Sequence, residues 1–440
     1  VQARLTMTIT ITDLTVRDIR FPTSDNLDGS DAIHTDPDYS CPYVTLITDA
    51  VDLEGHGITF TLGQGNELCV AAIETLKSQV IGRTLDSITV NFADFWHQLC
   101  NGSQLRWLGP ERGLIHMSVA AVINAIWDLY AKQEGKTLWR LLADMSPQQI
   151  VACIDFHHIT DVLSPGEALA ILQENESTKA QRVQELQEIG LPAYTSSAGW
   201  MGYDEDYRRA QCRKYLADGF TMFKMKVGAD LEDDIQRATI IREEIGDDLH
   251  LMMDANQVWD VDEAISQMKV LSRFNPLWIE EPTSPDDVLG HAKIAQAIAP
   301  VGVATGECIS NRIMFKQFLQ TGAMQFCQID SCRVGGVNEL LAIMLLAKKF
   351  NVPVCPHAGG VGLCNYVQHL SAFNYIAIAP SLENVVLEFS DHLHEHFVDR
   401  LRVENARYRL PSMPGYSITM KPDSLAAYEF PHGEVWQQRC

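Results

Sequence analysis

From Ala193 onward the chain repeats one architecture without repeating a sequence. The strand-like runs read AYTSS, TMFKMKV, LHLMMDAN, LWIEEP, VGVATGE, MQFCQID, VPVCPH and VVLEFS. Amphipathic helical spacing fills the gaps over 232–245, 261–274, 285–298, 312–320, 337–349 and 366–377. Neighbouring parallel strands need a crossover connection, and a helix supplies it. Eight strands in units of about 25–30 residues therefore predict an α/β fold, a (β/α)8 barrel of the TIM type. That closed ring constrains the rest of the chain, because it fixes which residues share one end.

Residues 1–150 read as a separate N-terminal α+β domain. Strands are expected over 4–20, 43–49 and 57–62, joined as a meander. Helices are expected over 64–80, 85–99 and 118–142, the last broken near Gly135. Between the first two strands lies FPTSDNLDGSDAIHTDPDYS, residues 21–40. Its Gly, Pro, Asp, Asn and Ser make it a loop, and its length suits a lid or binding loop. Residues 151–407 hold a connecting segment, with a charged helix over 165–186, and the barrel. Residues 408–440 form a polar, proline-containing tail that is expected to pack back on the N-terminal domain.

Composition narrows the function. The chain has 440 residues and a formal net charge of -23, which repels the phosphates of nucleic acid. No run reads as long and apolar enough to span a membrane. The opening VQARLTMTITITDL lacks the apolar stretch of an export signal. Eleven cysteines without zinc-site spacing fit reduced thiols in a cytoplasmic setting.

The ends of the barrel strands carry the chemistry. Strand two offers Lys224 and Lys226, which share a face because alternate strand residues do. Strand three ends in Asp254 and Asn256, strand four in Glu280 and Glu281, and strand five in Glu307. Strand six ends in Asp330, strand seven in His357 and strand eight in Glu388. In such barrels the C-terminal strand ends build the active site. Asp254, Glu280 and Glu307 on three adjacent strands would repel one another unless a hard cation sat between them. Mg²⁺ prefers oxygen ligands and keeps positions open. Each lysine lowers the pKa of the other, which suits a base at neutral pH. Asp330 is placed to fix the tautomer of His357. Bases on two faces of a cation-held substrate suit proton removal next to a carboxylate. Glu388 would donate to the developing oxyanion if protonated, or contact substrate. Glu281 points to the opposite strand face from Glu280 and reads as a salt-bridge or turn residue. Arg333 fits substrate contact or packing beside the Gly335–Gly336 turn. Trp107 and Trp259 fit core or lid. A Schiff-base aldolase would use one lysine without a cation. A non-catalytic barrel would show damaged strand ends, and none is found.

FKMKVGAD, LMMDANQVWD, WIEEPTSPDD, ATGE, QIDSCRVGG and PHAGGVGL resemble the enolase superfamily, in its mandelate-racemase-like branch, over nearly the whole chain. Further stretches, among them the 21–40 loop, LRWLGPERG, CIDFHHITDVL and PHGEVW, resemble L-fuconate dehydratases. The resemblance implies one Mg²⁺ per subunit on Asp254, Glu280 and Glu307. It implies that Lys226 takes the C2 proton of an acid sugar, with Lys224 lowering its pKa and touching the substrate carboxylate. Lys226 or His357 would then protonate the departing 3-hydroxyl, giving a 2-keto-3-deoxy acid, here from L-fuconate. Glu388 would support the oxyanion. Asn256, read from its place at the strand end, fits substrate contact, orientation of Asp254 or a helix cap. The N-terminal domain would cap the site through Gly29, Ser30, Asp31 and Tyr39, with His34 secondary. A homo-oligomer is also implied. Dehydration of galactonate or arabinonate, or racemisation, would use the same site.

Overall fold

In the computed structural model, which describes residues 8–439, the N-terminal sheet is an antiparallel meander. Its strands are β1 (Ile11–Arg20), β2 (Ser40–Thr48) and β3 (Glu54–Ile58). The strand expected over 4–20 thus starts later, and residues 4–7 lie outside the described residues. Helix Asn66–Val80 and helix Gly113–Gln133 cover one face of this sheet. The sequence expectation of no membrane-length apolar run needs correction here. Gly113–Gln133 is long and apolar enough to cross a membrane, with mean hydropathy 1.4. Nearly all of its residues from Ile115 to Ala131 are buried in the protein, as befits a helix that is apolar all round and forms the core.

That packing depends on glycine. A Cβ at Gly57 would lie 2.2 Å from the Ala121 carbonyl oxygen and 2.5 Å from the Ala125 nitrogen. Backbone atoms cannot rotate away as side chains do, so β3 and the helix would have to separate. Gly57→Ala is expected to cost about 1–3 kcal/mol, measured as a lower midpoint in thermal or urea unfolding.

The barrel strands are β4 (Leu191–Thr195), β5 (Met222–Lys226), β6 (His250–Asp254), β7 (Pro276–Glu280), β8 (Gly302–Thr305), β9 (Phe326–Cys327) and β10 (Leu387–Phe389). They pair in parallel in the order β10-β4-β5-β6-β7-β8-β9. The expected strand VPVCPH is not a full strand. It extends the ladder beside β9, with Cys355 N–H donating to Cys327 O at 2.8 Å and His357 N–H to Ile329 O at 3.2 Å. Tyr194, Met252, Trp278, Ala304, Cys355 and Val386 fill the barrel interior, the layered side-chain filling such barrels require.

The last segment is more structured than a polar tail. Tyr416, Ile418 and Met420 are buried, and 422–428 and 434–437 are helical. It meets the N-terminal domain through Phe430 N–H on Asp18 O at 2.8 Å and Trp436 Nε1 on Arg20 O at 3.1 Å. The ten cysteines among the described residues are free thiols, buried except for the partly exposed Cys308.

Candidate active site

Register places the central residues. Lys226 pairs with Asp254, Asp254 with Glu280, and Glu280 with Ala304. Adjacent strands lie about 4.8 Å apart, so one lysine and two carboxylates stand in a row at the strand ends. Glu307 follows on the loop after β8. One oxygen each from Asp254, Glu280 and Glu307 lie within 4.8 Å of one another.

The two lysines hold different parts of this row. Lys226 Nζ donates to Asp254 Oδ2 at 2.6 Å and to Asn256 Oδ1 at 2.9 Å. Lys224, almost fully buried, meets Glu280 Oε1 at 2.7 Å, Glu388 Oε1 at 3.0 Å and Asp254 Oδ2 at 3.4 Å. Glu280 Oε2 accepts from Gln328 Nε2 at 2.8 Å and from Trp278 Nε1 at 3.3 Å. The pKa of Lys226 departs from the sequence expectation. Burial pulls it down most and Lys224 opposes a second charge, but the carboxylates of Asp254, Asp31 and Glu307 together raise it. Charge repulsion between the lysines is therefore present and outweighed by a carboxylate in direct contact.

His357 faces the row from the far side. Its Nδ1–H donates to Asp330 Oδ2 at 2.7 Å, which leaves Nε2 for the site, 3.6 Å from Glu307 Oε2. Burial lowers its pKa, yet Glu307 and the Asp330 hydrogen bond raise it to about 10. Glu388 Oε2 accepts from Ala358 N–H at 2.9 Å. Burial raises the pKa of Glu388, but Lys224 and His357 pull it below the usual carboxylate range. It is thus ionised, which removes the expectation that it donates a proton to an oxyanion.

A cavity of about 330 Å³ opens above the row. Lys226, Asn256, Glu307, His357 and Glu388 line it, together with Gly29, Asp31, His34 and Tyr39 from the long loop. Asp254, Glu280, Lys224 and Ser30 do not; all four are buried. Ser30 is used to hold the neighbouring loop, its Oγ accepting Gly202 N–H at 2.9 Å and its carbonyl accepting Met201 N–H at 3.2 Å. Asp31 accepts His34 N–H at 2.6 Å and meets His34 Nδ1 at 2.9 Å, so the loop is closed on itself.

Glu281 corrects the salt-bridge alternative of the sequence reading, not the turn alternative. It is fully buried and makes no salt bridge among the described residues. Its Oε2 accepts from Gln257 Nε2 at 2.7 Å, and it clusters with Glu307 and Cys308. The strand ends at Glu280, and Glu281 has φ 41°, so alternation no longer decides where its side chain goes. Arg333 lines the cavity, its Nε donating to Glu307 O at 3.2 Å. Trp259 is core, and Trp107 is 90% exposed on the surface. Ser196 and Trp200 also line the cavity; Ser196 falls within the expected strand AYTSS and Trp200 just beyond it, and neither was marked by its sequence.

The carboxylate row fits a hard cation. All donors are oxygen, and Glu307 Oε2 is buried without a hydrogen-bond partner. The alternative group of Glu281, Glu307 and Cys308 contains a softer thiol, which suits Mg²⁺ less.

Residues 207–424 match the family described as enolase C-terminal domain-like. Over 97% of both chains this sequence is 56% identical to mitochondrial enolase superfamily member 1 of Xenopus laevis. It is 51% identical to an L-galactonate dehydratase of Hypocrea jecorina, covering 96% of this chain and 94% of the relative. The crystal structure of human mitochondrial enolase superfamily member 1 superposes with a TM-score of 0.97 at 54% identity, covering 98% of this chain and 99% of that one. With its barrel, its N-terminal capping domain and its row of strand-end carboxylates, the chain belongs to the enolase superfamily.

Proposed function

We propose that this protein is an Mg²⁺-dependent acid-sugar dehydratase acting on L-fuconate. The observation that carries the reading is that Lys226 and His357 line one cavity from separate strand ends beside an all-oxygen carboxylate row. Asp254, Glu280 and Glu307 would hold the cation. When bound, it supplies positive charge that offsets these carboxylates and polarises a substrate carboxylate, easing ionisation of the neighbouring C–H.

With a cation on Asp254, the carboxylate that holds Lys226 charged would be offset, and Lys226 as the neutral amine takes the C2 proton, its remaining N–H oriented by Asn256 Oδ1. His357, held protonated by its carboxylate neighbours, gives its Nε2 proton to the 3-hydroxyl, which departs as water. The remaining enol becomes the 2-keto-3-deoxy acid. Lys224 positions Glu280 and Glu388 from beneath the cavity.

A second reading, L-galactonate, is favoured by the 51% identical relative that bears that name. L-Fuconate is L-galactonate without the hydroxyl on C6, so the reacting end is the same for both. Discrimination then falls to the distal wall. A wall built for the hydroxyl rejects the deoxy acid by about 10⁴–10⁵, whereas an apolar wall rejects the extra hydroxyl by only about 10². The test is a sugar-acid screen with Mg²⁺, following the 2-keto-3-deoxy product with semicarbazide. The expected result is turnover of L-galacto-configured acids, with L-fuconate the better. Preference for L-galactonate would overturn the substrate, and a failure of every aldonate would overturn the reaction.

A further inference from the structure

A second cluster of ligating side chains lies outside the cavity, where the N-terminal domain, the connecting segment and the barrel meet. His97 comes from helix Phe92–Cys100, while Asp155 and His157 follow helix Pro147–Ala152 in the stretch CIDFHHITDVL. Arg312, which opens barrel helix Arg312–Gln320, donates to His157 O at 3.1 Å. The function proposed above uses none of these residues.

One nitrogen of each imidazole converges on a single carboxylate. His97 Nδ1 is 2.8 Å from Asp155 Oδ2, and His157 Nδ1 is 3.2 Å from Asp155 Oδ1. The three ligand atoms lie within 4.8 Å of one another. Zinc bonds of about 2.0–2.2 Å in tetrahedral geometry place ligand atoms about 3.3 Å apart, so only small side-chain adjustments are needed. Two imidazoles with one carboxylate suit zinc and its transition-metal neighbours, not Mg²⁺.

The local charge also favours a cation. The Arg312 guanidinium is 3.5 Å from Asp155 Oδ2, which by itself would oppose one. However, Arg312 also meets Glu111 at 2.7 Å and Glu339 at 3.2 Å, and His116 meets Glu339 at 2.6 Å. Even with His116 counted as charged, two positive groups face three carboxylates. Asp155 is held rigidly, with its side chain 8% exposed, while the imidazoles are open at 41% and 66%. An ion can enter from solvent and keep a water as its fourth ligand.

We propose that His97, Asp155 and His157 form a second metal site for Zn²⁺ or a similar borderline divalent ion. The bound ion would tie the helix of the N-terminal domain to the connecting segment. The site is independent of the barrel chemistry, so its test does not depend on activity.

The full-length protein, stripped with chelator and returned to excess Mg²⁺, is titrated with Zn²⁺ by calorimetry and with Co²⁺ by visible absorption. The wild type is expected to bind one Zn²⁺ per chain at this site, with tetrahedral d–d bands for Co²⁺ and a higher Tm with Zn²⁺. His97→Ala and His157→Ala should each weaken binding at least about 10-fold, and the double variant should lose both the bands and the Tm rise. The exposed His157→Gln variant checks the result in a protein that keeps its hydrogen-bonding side chain. Equal zinc affinity in the double variant would overturn the site. So would a Co²⁺ spectrum dominated by thiolate charge transfer, which would assign the ion to cysteine.

Discussion

Lys226→Met is expected to lower kcat by about 10²–10⁴-fold or more, the range supplied by a positioned acid–base group, with the fold intact. Methionine keeps the length of the side chain and removes the ammonium. Asp254 Oδ2 then retains only Lys224, at 3.4 Å. Two readouts separate a base from a structural cation. Exchange of the C2 hydrogen in D₂O should stop in Lys226→Met, since no other group on that side takes the proton. In the matching Lys224→Met variant, exchange should slow without stopping, because Lys224 acts through Glu280 and Glu388 and does not line the cavity. Its loss strips a direct partner from two buried carboxylates, so that variant should also melt earlier. Lys226→Met should not, because its partner is not left alone. Continued exchange in Lys226→Met would move the base role to His357.

Parallel strands explain why so much of this site was legible in the chain. A strand end is marked by a switch from apolar to ionisable residues, as in LMMDAN and LWIEEP, and barrel topology sends all such ends to one face. Register was not legible. That Lys226, Asp254 and Glu280 stand in one row, while Lys224 sinks beneath them, follows from pairings between strands far apart in sequence. Glu281 was misread for a related reason: alternation holds only while the strand continues, and a positive φ ends it. The long segment was legible as a loop from composition, and as a lid or binding loop from its length. Composition could not show that Ser30 would be used on Gly202 and Met201 while Asp31 and Tyr39 faced the cavity. Ser196 and Trp200 reach the site on the stretch 196–202, which carries no ionisable residue, so nothing in its chemistry marked it.

The carboxylate row makes the other large prediction. Chelation should abolish turnover and added Mg²⁺ restore it, and Asp254→Asn, Glu280→Gln or Glu307→Gln should each lower activity by at least about 10²-fold, the scale on which disturbing a metal site acts. Glu307→Gln distinguishes a ligand from a structural carboxylate most sharply. Glu307 Oε2 is buried without a hydrogen-bond partner, and its side chain faces Asp254, Glu280 and Glu281 against the single imidazole of His357 at 3.6 Å. Neutralising it removes repulsion in the cation-free protein, so that form should be as stable as wild type or more so. With cation present the order should reverse. A ligand at 100 times its Kd stabilises the folded state by about 2.7 kcal/mol, and a variant lacking one of three ligands forgoes most of that. Thermal unfolding of both proteins, with EDTA and with saturating Mg²⁺, should therefore give curves that change order. A carboxylate serving only to hold the fold would lower Tm equally in both conditions, and parallel shifts would take Glu307 out of the ligand set.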